Sequence, residues 1–297
     1  MRKDISFASG GDRCAAWLYT DTSAQSGTCI IMGHGFGGTR HYGLDAYAEA
    51  FRAAGYDVLL FDYRHFGESE GQPRGLLKVR LQHEDWRAAI AHARSLGYGR
   101  IVLWGSSFAG GHVLAIAAER DDLSGVIAQV PHISGLATAL ALPIAKLPRM
   151  AFAIIADAVL SLFGRRHMVK AFAPVGEFGA MSTPGAHDAL VAMLPSPEWR
   201  SYFDDHNRVT ALSLVEAMRY SPGRRAAWIG CPVLIQAGKR DQTTPFEPAR
   251  EAAGQIPDCE FRAHDCDHFD VYLGACFDAV IAEQVDFLQR RIPESRP

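Results

Sequence analysis

The 297-residue sequence is poor in the features that would assign it to several large protein classes. No long run of Lys and Arg occurs, and the formal net charge is −3 at pH 7, which argues against a nucleic-acid partner. The six cysteines, Cys14, Cys29, Cys231, Cys259, Cys266 and Cys276, are scattered, without the close spacing of a zinc site or a small disulfide scaffold. A reducing cytoplasm fits that usage best. The start, Met1-Arg2-Lys3-Asp4-Ile5-Ser6-Phe7, runs into a strand-like segment without the apolar centre of a secretory leader. No internal repeat or low-complexity tract is visible. What the chain does have is apolar residues, 48% of the total, enough for one large α/β domain and an insertion.

Short apolar runs predict strands near Asp4–Ala8, Cys14–Tyr19, Thr28–Met32, Asp57–Phe61, Ile101–Trp104, Gly125–Gln129, Val233–Ala237 and Glu260–Ala263. Apolar spacings of three and four predict helices over Tyr42–Ala54, Leu81–Leu96, Phe108–Glu119, Pro245–Gln255 and Ala275–Arg291. A hairpin followed by strand/helix alternation implies a mostly parallel eight-stranded sheet with helices on both faces. In such sheets ligands bind where strands end.

Four loops fall at such ends. In Ile101 to His112 an apolar strand passes through Gly105-Ser106-Ser107-Phe108-Ala109-Gly110 straight into a helix, the arrangement that holds a serine hydroxyl out for reaction. The run Cys29 to Met32 ends in His34-Gly35-Phe36-Gly37-Gly38, whose bare backbone N–H groups suit half of an oxyanion hole. No Gly-Lys-Ser/Thr follows, and no dinucleotide fingerprint opens the next helix, so nucleotide binding is disfavoured. After Val233–Ala237 comes Asp241. The next segment, Thr244-Pro245-Phe246-Glu247, reads as a helix start capped by Thr244, leaving Asp241 free for another role. The last loop, Ala263-His264-Asp265-Cys266-Asp267-His268-Phe269-Asp270, offers two histidines and a second carboxylate at Asp270. It is not helical, so histidines four apart do not share a face and a metal site is not expected.

The order Ser107, Asp241, His268 is the order of nucleophile, acid and base in α/β-hydrolases, and the sequence resembles that superfamily over nearly its whole length outside the middle insertion. Two further motifs carry the resemblance. His34 to Gly38 matches the His-Gly-x-Gly-Gly oxyanion loop, and Asp62-Tyr63-Arg64-His65-Phe66-Gly67-Glu68-Ser69 matches an Asp-x-Arg-Gly-x-Gly-x-Ser loop. His65 replaces the first glycine of that loop, a departure that bears on the local backbone rather than on the chemistry. Trp104 to Phe108 and His268 to Tyr272 look most similar to esterases and peptidases of the dienelactone-hydrolase and X-Pro-dipeptidyl-peptidase type. The resemblance implies Ser107 as nucleophile, His268 as base, Asp241 as orienting acid, and the backbone N–H groups of Phe36 and Phe108 as oxyanion donors. It calls for no metal and no cofactor.

Residues 131–222 break the pattern and are expected to form a helical lid between the core segments 1–130 and 223–297. Prolines 143, 148, 174, 184, 195 and 197 cut this stretch into short pieces. Met150–Phe163 is apolar nearly all round, too short to span a membrane, and carries Asp157. It is expected to be a buried lid helix with one face lining an acyl pocket over Ser107, with membrane-surface contact or a homodimer seam as lesser readings. The leading functional expectation is a carboxylic-ester hydrolase acting on a small acyl substrate. A peptidase or amidase would need an anchor for a peptide amino terminus, and Glu177, Asp188, Glu198, Asp204 and Asp205 form no pattern for one. A thioesterase or acyltransferase would use the same three residues. A non-catalytic binding protein has no need to keep them together.

Overall fold

The computed structural model describes residues 1–21, 26–194 and 196–294, so Pro195 lies outside the described residues. In chain order the first part comprises β1 (Arg2–Ser9), β2 (Asp12–Tyr19), β3 (Thr28–Gly33), α1 (Leu44–Ala53), β4 (Asp57–Phe61), α2 (Val79–Ser95), β5 (Arg100–Ser106), α3 (Phe108–Ala117) and β6 (Gly125–Gln129). The insertion follows with α4 (Gly135–Leu140), α5 (Leu147–Ser161), β7 (Met168–Phe172), β8 (Gly179–Met181), α6 (Ala186–Ala192), α7 (Pro197–His206), β9 (Arg208–Thr210) and α8 (Leu212–Arg219). The chain closes with β10 (Val233–Gly238), α9 (Phe246–Gln255), β11 (Cys259–His264) and α10 (Gly274–Arg291).

Eight strands form one sheet in the order β1-β2-β4-β3-β5-β6-β10-β11. The β1–β2 and β2–β4 pairs are antiparallel and the rest are parallel. Every residue of β3, β4, β6 and β10 is buried, as expected for parallel strands covered on both faces. Alternate residues feed two separate cores. Ile31, Leu59, Phe61 and Leu103 pack under α2 and α3, with Trp86 and Val113. Ile30, Met32, Leu60 and Trp104 pack on the other face under α1 and α10, with Phe51 and Phe287. All eight expected strands are present, two at the expected bounds and six longer by one to three residues.

The insertion differs from the expected helical lid. Besides helices it holds a second, three-stranded sheet ordered β8-β7-β9. Those strands have three to five residues, too few for a period of two to stand out. The expectation of a buried lid helix is also corrected. Ala153 and Asp157 of α5 are buried, whereas Phe152 is 70% exposed and Ile155 64%. Asp157 explains which face turns inward. Its carboxylate accepts from Arg166 Nε and Nη2 at 2.8 and 2.7 Å and from the backbone N–H groups of His167 and Leu212, tying α5 to β7 and α8. Among the described residues, no helix is long and apolar enough to cross a membrane.

Candidate active site

β5 ends at the centre of the sheet and the chain turns into α3 within one residue, Ser107, whose φ of 58° and ψ of −118° lie outside the regions open to ordinary side chains. The turn closes because its neighbours are small. A Cβ on Gly105 would stand 2.3 Å from the Ala109 carbonyl oxygen, and one on Gly111 equally close to the His132 carbonyl oxygen. Behind the turn, Ser106 Oγ contacts Tyr272 OH and accepts from Gln129 Nε2 at 3.1 Å. A glutamine chain continues from there. Gln284 Nε2 donates to Gln129 and Gln236 at 2.8 and 2.7 Å, and Gln284 Oε1 accepts from Trp104 Nε1.

The structure brings Ser107, His268 and Asp241 together. Ser107 Oγ is 3.0 Å from His268 Nε2, and His268 Nδ1 is 2.7 Å from Asp241 Oδ2. Both partner side chains are almost fully buried, so their interaction is screened little by solvent. With Nδ1–H donating to the carboxylate, Nε2 is left as the acceptor that a serine proton needs. Asp241 is fixed in turn, its Oδ1 accepting from the N–H groups of Thr243 and Thr244 at 2.8 and 2.6 Å. Asp267 clamps this loop to the histidine loop, accepting from Gln242 N at 3.0 Å and His268 N at 2.7 Å. The two other candidates point elsewhere. His264 Nε2 meets Glu283 at 3.1 Å, and the exposed Asp270 accepts from Asp267 N at 2.8 Å.

Thr244 is not the expected helix cap. α9 starts at Phe246 with Pro245 before it and no side-chain cap. The Thr244 hydroxyl instead lies 2.8 Å from Asp241 Oδ2, 3.0 Å from the Val130 carbonyl oxygen and 3.1 Å from His268 Nδ1. A tertiary contact therefore overrides a local capping pattern. Val130 turns its carbonyl there from a φ of 36°, strained for a β-branched residue.

Phe36 and Phe108 flank the serine, their rings 5.7 Å apart edge to face. As first residue of α3, Phe108 has an N–H without an intrahelical acceptor, and the Phe36 N–H meets none among the described residues. Gly35 comes so near that a Cβ on it would be 3.1 Å from Ser107 Cβ. His34 stiffens the loop by donating from Nδ1 to the Gly35 carbonyl at 3.0 Å, and burial holds its pKa below the ordinary histidine value. In the Asp62 loop, His65 takes a φ of 71°, the left-handed geometry that a glycine would adopt without strain.

A cavity open at its mouth leads away from Ser107. Its wall is mostly apolar, with Leu142, Met150, Phe178, Leu214 and Met218. Of the Met150–Phe163 segment, Met150 alone lines it, and α4, β8 and α8 supply most of the roof. Phe36 and Ser107 also border a second, smaller cavity, with Thr39, Tyr42 and His268. Among the described residues, no group of three or more His, Cys, Asp or Glu is placed to hold a metal ion.

Ser107 stands on a strand-to-helix turn, with Asp241 and His268 on loops after later strands, and residues 28–275 match the family model of the alpha/beta hydrolase fold. The chain belongs to that family. It is 41% identical over 295 residues to the quorum-quenching protein AidA of Acinetobacter baumannii (strain MDR-ZJ06), covering 98% of this chain and 95% of that one. It is 25% identical over 303 residues to the polyketide transferase grgF of Penicillium sp, covering 98% and 97%. The solved structure of DcsB in complex with a substrate analogue superposes with a TM-score of 0.82 at 23% identity, over 98% of this chain and all of that one.

The glutamine chain, the bonding role of Thr244 and the partly buried cluster of His83, His112 and Tyr220 beside α3 have no counterpart among the sequence expectations. His83 Nε2 lies 3.0 Å from both His112 Nδ1 and Tyr220 OH, and His112 Nε2 lies 2.8 Å from Gln82 Oε1. Polar residues inside apolar runs, such as Gln129 and Gln236, were the available signal.

Proposed function

We propose that the protein is a serine hydrolase that cleaves carboxylic esters through an acyl-enzyme. The reading rests on one observation, the unbroken chain of hydrogen bonds from Ser107 Oγ through His268 to Asp241. In the first step His268 Nε2 takes the Ser107 proton as Oγ bonds to the ester carbonyl carbon, and the carbonyl oxygen becomes an oxyanion beside the Phe36 and Phe108 N–H groups. The C–O bond to the alcohol then breaks, and His268 returns its proton to the leaving alkoxide. In the second step a water gives its proton to His268, attacks the acyl carbon and releases the acid, while the proton returns to Ser107. Asp241 holds the imidazole in the required tautomer and favours its charged form. The apolar cavity suits an acyl chain. The A. baumannii relative is named as a quorum-quenching protein, so quorum signals that carry an acyl chain belong beside simple esters in a substrate panel.

The second cavity favours one further reading, transfer of the acyl group to a bound acceptor instead of water, in keeping with the name of the Penicillium relative. A cytoplasmic location belongs to the same proposal, since all six cysteines are unpaired. The test is turnover of a short p-nitrophenyl ester by the wild type and by Ser107→Ala. Loss of turnover with an unchanged circular-dichroism spectrum is expected; retained turnover removes Ser107 from the mechanism. Acid release in water alone against ester formation with added alcohols separates hydrolysis from transfer.

A further inference from the structure

α5 carries a surface that the chemistry at Ser107 does not use. Its Ala153 and Asp157 face the domain, while Phe152, Ile155, Val159, Leu162 and Phe163 stand outward, each more than half exposed. Steps of three and four residues place Phe152, Ile155 and Val159 on one stripe, which Leu162 and Phe163 continue just past the helix end over about 16 Å in all. Ile144, just before the helix, is 82% exposed. A patch of this size on a water-soluble face normally has a partner.

The charges around it indicate what kind. Between residues 131 and 167 the only acidic residue is Asp157, and it is fully buried in its pair with Arg166. The exposed or half-exposed cations Lys146 and Arg149 border one end of the stripe, and Arg165 borders the other. A second copy docked through the same face by a two-fold axis would set these cations against their counterparts with no exposed acid from the segment between them. A surface of opposite charge that also accepts apolar side chains removes that conflict. An apolar face rimmed by Lys and Arg is the pattern of a helix lying in the boundary of an anionic bilayer.

We propose that α5 is an interfacial helix that seats the protein reversibly on an anionic lipid surface. Met150 of α5, with Leu142 and Lys146 just before the helix, lines the wall of the cavity at Ser107. Docking through α5 therefore brings that cavity close to the water–lipid boundary, where apolar acyl compounds concentrate. The proposal stands apart from the ester reading, because attachment needs no turnover and is expected to survive Ser107→Ala.

The test is co-sedimentation of the full-length protein with vesicles of phosphatidylcholine alone and with vesicles containing phosphatidylglycerol. Binding to the anionic vesicles is expected to be at least about tenfold stronger and to weaken with added salt. Phe152→Asp combined with Ile155→Asp should abolish binding while leaving hydrolysis of a soluble short ester unchanged, since neither residue lines the cavity at Ser107. Arg149→Glu with Arg165→Glu should remove the preference for anionic lipid. Absence of binding to both vesicle types overturns the proposal. A dimer in sedimentation velocity that the Phe152 and Ile155 substitutions dissolve, without vesicle binding, would give the face to a second copy instead.

Discussion

Beneath Ser107 buried glutamines and a serine bond to one another across the sheet, whereas above it the insertion leaves a row of large apolar side chains open to water. On the sheet side, Ser106, Gln129, Gln236 and Gln284 form a bonded chain, and His268 and Asp241 have defined partners at each polar atom used. On the insertion side, Leu140, Ile144, Leu162 and Phe163 are all more than 70% exposed. In the proposed mechanism the division separates two tasks. Moving a proton between Ser107 and His268 needs side chains held to fractions of an ångström, which rigid strand ends provide. Admitting an acyl compound needs a surface that accepts apolar material, and a loosely covered insertion provides that.

The comparison breaks most completely at Ser107. Ser107→Ala should lower kcat/KM for a short ester by about 10⁴-fold or more while thermal unfolding stays near the wild-type midpoint. Gly105→Ala attacks the sheet side through packing, because the added methyl meets backbone at 2.3 Å. It should cost about 2–4 kcal/mol in urea unfolding and most of the activity. The seam between the two regions is sensitive to acid. Burial lowers His83 and His132 to about 4 from the ordinary 6.5, and His132 stacks on Tyr220 at the far end of the insertion. Between those pH values the unfolded chain binds protons that the folded protein refuses. Stability is therefore complete above about pH 6.5 and falls toward pH 4, by about 1.4 kcal/mol per pH unit for each histidine, as urea midpoints across that range would register.

The remaining two tests sharpen the contrast. Ala217→Trp narrows the cavity from the insertion side and should reduce kcat/KM for octanoyl esters by about tenfold to a hundredfold, with acetyl esters little changed. Thr244→Val removes one hydroxyl beside Asp241 and His268, and a loss of about 1–2 kcal/mol in transition-state stabilisation is expected, read as a fall in kcat with little change in KM.

The same contrast governs what could be read in advance. Strands such as Asp57–Phe61 and Gly125–Gln129 stand at the residues their apolar runs indicate, because burial on both faces leaves little choice of residue. The serine turn was legible through Gly105 and Gly110, whose Cβ positions are filled by neighbouring backbone. Choosing Asp241 over Asp270, and His268 over His264, needed the family's chain order as well as local pattern. Thr244 was misread because a capping threonine and a threonine bonded to a remote carboxylate look alike over four residues. α5 was misread for a related reason. An apolar helix in sequence implies a covered one, yet only the inward face bearing Ala153 and Asp157 is covered. Short strands like Gly179–Met181 owe their form to their neighbours.

The account depends most on an activated hydroxyl at Ser107, and labelling by a fluorophosphonate followed by peptide mass spectrometry examines it directly. One adduct per chain, on the peptide carrying Ser107 and lost in His268→Ala, is the predicted result. Native, folded protein that stays unmodified, or that is modified at another residue, would contradict it.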